Sequence, residues 1–276
     1  MIASVLATRY VQPLREGGSL PAVVEDEEGG LWVVKFRGAG QGARALLAEL
    51  LAGELARAAG LPVPELSLVE VPEAFGRTEP DPEIQDVLRA SRGVNVGMRY
   101  LDGAFNFDFV AAGDLVDPDQ AADVVWLDAF LTNPDRSHRN PNLLVWREGL
   151  WLIDHGAALY AHHNWSRVDR ARTRAAFPGI ERHVLVGHAS SLREADRRLI
   201  DRVRDPALEG VLESLPDVLL TDPVSVGEGA DAERERRRYR DYLTTRLGEP
   251  REWVDAAERA RRAAAAAPRP RKESRR

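Results

Sequence analysis

Hydrophobic and polar positions change rhythm along this chain. Over residues 20–36, LPAVVEDEEGGLWVVKF, two apolar runs rich in β-branched residues flank the polar turn EDEEGG, which predicts two strands. The stretch ARALLAELLAGELARAAG has leucines at 46, 47, 50, 51 and 55 and predicts a helix. That helix stops at Gly60, and Pro62 and Pro64 forbid its continuation. PELSLVEV and GVNVGMRYL predict further strands, separated by EAFGRTEPDPEIQ, read as a polar, proline-marked loop. DPDQAADVVWLDAFLTN then predicts a helix with Asp117 and Asp119 as N-cap candidates, ended by Pro134. NLLVW and LWLID predict a hairpin around Arg147-Glu148-Gly149, and helical patterns follow at SLREADRRLIDRV, ALEGVLESL and AERERRRYRDYLTTRL. Strands therefore crowd one end of the chain and helices the other. A cleft between two such lobes is where small-molecule sites tend to lie.

Composition narrows the classes. The chain has 276 residues, 44% of them hydrophobic and 30% charged, the balance of a globular protein with a real core. It has no cysteine, which excludes disulfides, thiolate metal sites and cysteine nucleophiles and fits a reducing cytoplasm. Arg9 interrupts the short apolar run of MIASVLATRYVQPL, a poor signal peptide, and no window is long and apolar enough to span a membrane. The net charge of −6 argues against a general nucleic-acid binder. RRAAAAAPRPRKESRR, locally basic, is expected to be a solvated tail.

Two local patterns carry chemistry. On the strand LWVVKF, Lys35 shares a face with Leu31 and Val33, so an ammonium sits where apolar neighbours point and needs an anionic partner. Glu49 has Ala45, Ala52, Gly53 and Ala56 around it on its helix, a face of small residues that suits close approach to a sheet. Glu54 has Arg57 one turn on for a solvated pair, so Glu49 is the better partner for Lys35.

The second pattern is NPDRSHRNPNLLVWREGLWLIDHG. Folding its hairpin about Glu148 sets Asn142 near Asp154 and brings Asn140 and Asp154 to one end. An amide oxygen and a carboxylate there suit Mg²⁺, which takes few protein oxygens and leaves the rest to water and phosphates. Asp135 lies in the preceding loop, free to act on a substrate group. Alone, Asp135, Asn133 or Asp154 reads as a turn residue; it is the combination that stands out. A strand lysine with a helix glutamate, then Asp-x-x-x-x-Asn, then a strand ending in Asp fourteen residues later, has the spacing of the protein-kinase template.

On these residues the chain resembles the HipA-like kinase domain family, a bacterial branch near the phosphatidylinositol kinases. The resemblance runs from about Leu14 to Leu247, through REGGSLPAVVEDEEGGLWVVKF, ALLAELLAGELARAAGLPVPE, NPDRSHRNPNLL and LIDHG. It implies an α+β, two-lobed protein-kinase-like fold. Residues 1–101 would form a β-rich N-lobe, 102–262 a mainly helical C-lobe, and 263–276 a disordered basic tail. It also implies an ATP- and Mg²⁺-dependent phosphotransferase of the serine/threonine type acting on an unknown hydroxyl acceptor, whether protein, lipid or metabolite.

Carried over residue by residue, Lys35 would bind the α/β-phosphates and Glu49 would orient it. Asp135 would be the catalytic base, with Arg136 steadying its loop or contacting phosphate. Asn140 and Asp154 would ligate Mg²⁺, and Gly17, Gly18 and Ser19 would cover the phosphates. Met98, Arg99, Tyr100 and Leu101 would be the hinge that meets adenine. Ser19 is the nearest candidate for autophosphorylation. The glycine turn is not a full G-x-G-x-x-G, and the extra N-terminal subdomain of HipA toxins is expected to be missing.

Other readings stay open. They are a nucleotide-binding module without transfer, and a small-molecule kinase like the aminoglycoside phosphotransferases, whose loop usually carries His-Gly-Asp where Thr132-Asn133-Pro134-Asp135 stands here. A histidine-based metal hydrolase finds no ligand spacing among His138, His155, His162, His163, His183 and His188. His155 is expected to pack beside the metal aspartate, and His162-His163 to lie on a solvated loop. Arg167, Arg170, Arg172 and Arg174 could greet an anionic substrate, although such a run is more often a solvated face.

Overall fold

The computed structural model describes residues 2–14, 20–40, 42–77 and 79–266. Five strands close into a barrel in the order β1-β2-β3-β5-β4: β1 (Ala3–Pro13), β2 (Ala22–Asp26), β3 (Leu31–Lys35), β4 (Leu66–Val71) and β5 (Gly93–Arg99). Neighbours are antiparallel except at the closure, where β1 runs parallel to β4 from Ala3↔Ser67 to Leu6↔Glu70. The β2–β3 turn is built by one carboxylate. Asp26 Oδ1 accepts the N–H groups of Glu28 and Gly30 at 2.9 and 2.7 Å, and Oδ2 accepts Trp32 Nε1 at 2.7 Å. Gly29 takes φ +81°, the left-handed region glycine enters without penalty. Trp32 and Val34 alternate into the barrel interior with Val24, Phe36 and Val69, so Val33 and Lys35 point outward.

Helix α1 (Gly42–Ala59) fills the space beside the barrel. Its small residues do what the sequence suggests: Gly53 lies so close to β4 that a Cβ there would come within 2.5 Å of Leu66 Cδ1. A Schellman end closes it, with Gly60 N–H bonded to Arg57 O and Leu61 N–H to Ala56 O, both at 2.9 Å. The polar stretch after β4 is only partly a loop. It gives way to helix α2 (Pro82–Ala90), where Asp81 caps the Glu83 N–H at 2.9 Å and Pro82 opens the first turn.

Beyond the barrel come the short β6 (Phe105–Asn106) and α3 (Phe109–Ala112), then α4 (Pro118–Leu131) and the hairpin β7 (Leu143–Trp146) and β8 (Gly149–Leu152). The rest is helical: α5 (Arg170–Arg174), α6 (Leu192–Val203), α7 (Ala207–Ser214), α8 (Asp217–Leu220), α9 (Pro223–Val226), α10 (Ala232–Leu247) and α11 (Glu252–Ala266). Asp117, not Asp119, caps α4, accepting two backbone N–H groups at 2.9 Å. Helix α4 is buried from Ala121 to Leu131 except at Asp123 and packs on α6 and α11, where Trp126, Phe130 and Trp253 pack with ring centroids 5.3–5.8 Å apart. The large core cluster joins α1 to these helices. The expected tail begins too early: α11 continues to Ala266, held by Trp253 and Ala257 in the core, and residues 267–276 lie outside the described residues.

Glu258 of α11 accepts the Leu192 N–H at the start of α6 and the guanidiniums of Arg261 and Arg262. Burial alone would push its pKa up, but these donors outweigh it and hold the carboxyl at about 2. A depressed carboxylate stabilises the fold above its unfolded pKa, and that contribution is lost as pH falls toward the folded value. Glu258→Gln should therefore lose less urea stability than the wild type between pH 5 and pH 2.5. Parallel losses in the two proteins would contradict this assignment.

Candidate active site

Strand β3 aims Lys35 at α1, and its Nζ lies 2.6 Å from Glu49 Oε2 and 2.5 Å from Asp154 Oδ1. The Glu49 side chain is 4% exposed and that of Asp154 42%, so one carboxylate is a buried anchor and the other faces the solvent side of the site. Burial pulls the Lys35 pKa down, but Glu49 and Asp154 outweigh it and leave the ammonium above the ordinary lysine value. Glu49 is likewise pushed up by burial and brought well below the usual carboxylate range by Lys35. Glu54 keeps the predicted pair with Arg57 at 3.4 Å. His155 is buried, and its Nδ1 lies 3.7 Å from Glu49 Oε1. Asp154 itself takes φ +55°, a strained position for a residue with a Cβ.

The loop carrying Asp135 hangs from a buried acid that the sequence reading did not single out. Asp128, in the apolar run VVWLDAFL of α4, receives Arg136 Nε at 2.6 Å, Asn133 Nδ2 at 3.0 Å and His183 Nε2 at 2.9 Å. His183 Nδ1 accepts the Leu185 N–H at 3.0 Å, so the ring proton sits on Nε2 and is donated to Asp128. Burial raises the Asp128 pKa, and Arg136 and His183 bring it well below the usual range. Arg136 is 1% exposed, and its Nη1 donates to the carbonyls of Asn142 and Ile153. Its Nε and Nη1 hold the loop to Asp128 and to the hairpin while its buried Nη2 finds no partner among the described residues, and it is not among the residues lining the cavity.

Above this anchor, Asp135 is half-buried and its Oδ2 accepts Asn140 Nδ2 at 2.9 Å and Asn142 Nδ2 at 3.2 Å. The hairpin register differs by one residue from the sequence expectation. Arg147 and Glu148 alone make the turn, at φ +48° and +62°, and Gly149 already belongs to β8. The pairs are Leu143↔Leu152 and Trp146↔Gly149, and Asn142 O accepts the Ile153 N–H at 3.1 Å, so Asn142 faces Ile153 and turns its amide to Asp135.

These groups share one cavity of about 670 Å³. Val33, Val96 and Met98 line it from the barrel and Leu143 and Ile153 from the hairpin, while Lys35, Glu49, Asn140 and Asp154 make a polar end. Of the expected hinge, Met98, Tyr100 and Leu101 line the cavity and Arg99 does not. Alternation on β5 turns Arg99 away, its guanidinium 4.2 Å over the Trp32 ring and its N–H bonded to Glu65 O. The Tyr100 N–H is bonded to Leu31 O. Gly17, Gly18 and Ser19 lie outside the described residues; Leu14 and Pro21, on either side of them, line the cavity.

His138 and His188 both pack edge-on against Phe109 and His162 packs against His163, and among the described residues no group of three or more His, Asp or Glu side chains has metal-ligand geometry. His162 corrects an expectation. It is fully buried, with Nδ1 3.0 Å from the Tyr239 hydroxyl of α10, because a residue 77 positions away covers it.

The family model described as HipA-like kinase matches residues 8–175. The chain belongs to the HipA-like kinase family. The match takes in the barrel from the middle of β1 onward, α1, the Asp135 loop and the hairpin, so every residue named above around the cavity falls within the HipA-like region. Among solved structures it is similar to the Helicobacter pylori proinflammatory kinase CtkA, with a TM-score of 0.54 and 11% identity over 97% of this chain and 100% of that one. At that identity the likeness speaks for a shared fold. No curated protein matches the chain.

Proposed function

We propose that this HipA-like kinase is an ATP- and Mg²⁺-dependent phosphotransferase of the serine/threonine type, moving the γ-phosphoryl group of ATP to a hydroxyl. The barrel and helices would be the two lobes of a protein-kinase-like fold, with the cavity between them. One observation carries the reading: the Lys35 ammonium is clasped by a buried glutamate and by Asp154 where an apolar slot turns polar. An apolar slot suits a flat purine, and a fixed cation at its end suits phosphates.

In this reading Val33, Val96 and Met98 sandwich the base and the Leu101 N–H, which has no partner among the described residues, donates to it. Lys35 meets the phosphates, and Glu49 keeps it aimed. Asn140 spends its amide nitrogen on Asp135, which leaves Oδ1 for a cation, and Asp154 contributes its outward carboxylate. Two protein oxygens fit Mg²⁺, which when bound neutralises charge on the transferring phosphoryl group. Asp135, oriented by Asn140 and Asn142, accepts the proton of the attacking hydroxyl. Arg136 positions this loop from beneath. Gly17, Gly18 and Ser19 keep the phosphate-covering role that the family resemblance gives them in sequence. The absence of cysteine and the supply of ATP point to the cytoplasm; no helix among the described residues is long and apolar enough to cross a membrane.

The test is turnover of Mg·ATP by the wild type and by Lys35→Met, with and without chelator. Lys35→Met is expected to lose about a hundredfold or more, the effect of removing a fixed charge-stabilising group. Chelation should stop the wild type and added Mg²⁺ restore it. Metal-independent turnover, or a fully active Lys35→Met, would contradict the assignment.

A further inference from the structure

Between Ser137 and Ser190 the chain carries seven arginines and four acids, although the whole protein is acidic at −6. Two of those acids are engaged: Asp154 holds Lys35, and Asp169 caps α5 through the Arg172 N–H at 2.7 Å. Among the described residues, Arg139, Arg167, Arg170, Arg172, Arg174 and Arg182 form no ion pair. Arg172 and Arg174 donate only to the carbonyls of Arg167 and Pro250. Most arginines of the following helices behave otherwise, among them Arg193 paired with Asp255, Arg198 with Asp123, Arg240 with Glu209 and Arg251 with Asp196, although Arg202 and Arg246 bond to carbonyls instead. Unpaired arginine is thus concentrated in one segment.

That segment borders the candidate catalytic loop. An isolated bridge joins Ser137 to His183, and the Val184 N–H bonds to Arg136 O at 3.0 Å, so Arg182 runs beside residues 136–138. Arg139 lines the cavity next to Asn140. Buried Arg246 ties Thr173 O to Phe130 O, which anchors α5 to the end of α4 from which the Asp135 loop departs. Arg139 and Arg182 are therefore held beside the candidate catalytic loop, and the α5 arginines sit on a helix anchored to the end of α4 from which that loop departs.

Resting on the phosphotransferase reading, we infer that the acceptor is an acidic peptide segment whose hydroxyl-bearing residue is flanked by carboxylates that these arginines read. Arginine is the side chain suited to carboxylate recognition through paired donors. Apart from Arg139, these arginines lie outside the cavity, strung along the chain, which fits an extended acidic segment better than a compact metabolite. A membrane surface would call for several apolar anchors among the cations, and between Ser137 and Ser190 the described residues expose a single large hydrophobic side chain, Tyr160.

The test measures kcat/KM of the full chain with Mg·ATP on three matched serine peptides flanked by Glu/Asp, by Ala/Gln or by Lys/Arg. Several rim charges together should favour the acidic peptide by about tenfold over the neutral one, with the advantage shrinking in high salt. Arg170→Glu with Arg182→Glu should remove that preference and leave ATP hydrolysis unchanged. Equal rates on the three peptides, stimulation by anionic phospholipid vesicles instead, or ATP hydrolysis with no peptide modified would overturn the inference alone. A wild type that neither binds nor hydrolyses ATP would remove the phosphotransferase reading, and this inference with it.

Discussion

Asp128→Ala is expected to destabilise the protein by about 3–5 kcal/mol, because it strips from a buried guanidinium the one carboxylate it pairs with among the described residues. Arg136 is 1% exposed and Asp128 fully buried, so neither can turn to water. With Asp128 gone, the Arg136 charge keeps only carbonyl partners, and the His183 and Asn133 donors lose their acceptor. Urea unfolding of the purified variant measures the loss, which corresponds to a fall in Tm on the order of 10 °C for a chain of this size. Asp128→Asn should fall between, since an amide oxygen still accepts but carries no charge. A loss under about 1 kcal/mol for Asp128→Ala would show that the pair contributes little and that the loop is anchored elsewhere.

Asp135→Asn should lower kcat by about 10²–10⁴-fold while leaving ATP affinity nearly unchanged. The amide keeps the shape of the carboxylate but cannot take a proton, and Asp135 binds none of the groups that hold Lys35. Its tie to Asn140 and Asn142 is to a single oxygen, so a fold-wide effect is not expected, and the urea midpoint serves as the control. An unchanged kcat would mean that another group accepts the proton. A lost ATP affinity would mean that Asp135 belongs to the nucleotide site instead.

How much of this was legible in the sequence follows from what each feature depends on. Lys35 could be read because a five-residue strand alternates faces whatever surrounds it, and Glu49 because its helix face is small. Strand β1 lacked that signal: of ASVLATRYVQP only Ala7 is buried, and pairing on both edges makes it a strand. The hairpin register slipped because Arg147-Glu148 carries none of the Asn-Gly chemistry that marks a two-residue turn. Helix α2 was masked by two prolines, Pro80 before it and Pro82 at its start.

Long-range partners were the least legible. Asp128 could have been flagged as a lone charge in VVWLDAFL, but its link to His183 spans 55 residues, and that of His162 to Tyr239 spans 77. No local pattern encodes such a meeting. The same holds for Arg99, whose strand position was read correctly while its place over Trp32 depends on β5 pairing with β3.

The central claim is tested most directly by following labelled γ-phosphate from Mg·ATP with the wild type and Asp154→Asn side by side. Label should leave ATP in the wild type, to a hydroxyl or to water, and stay on ATP in a folded Asp154→Asn that has lost the carboxylate held by Lys35. Equal turnover in the two proteins, or a wild type that binds Mg·ATP and never releases its γ-phosphate, would contradict the account.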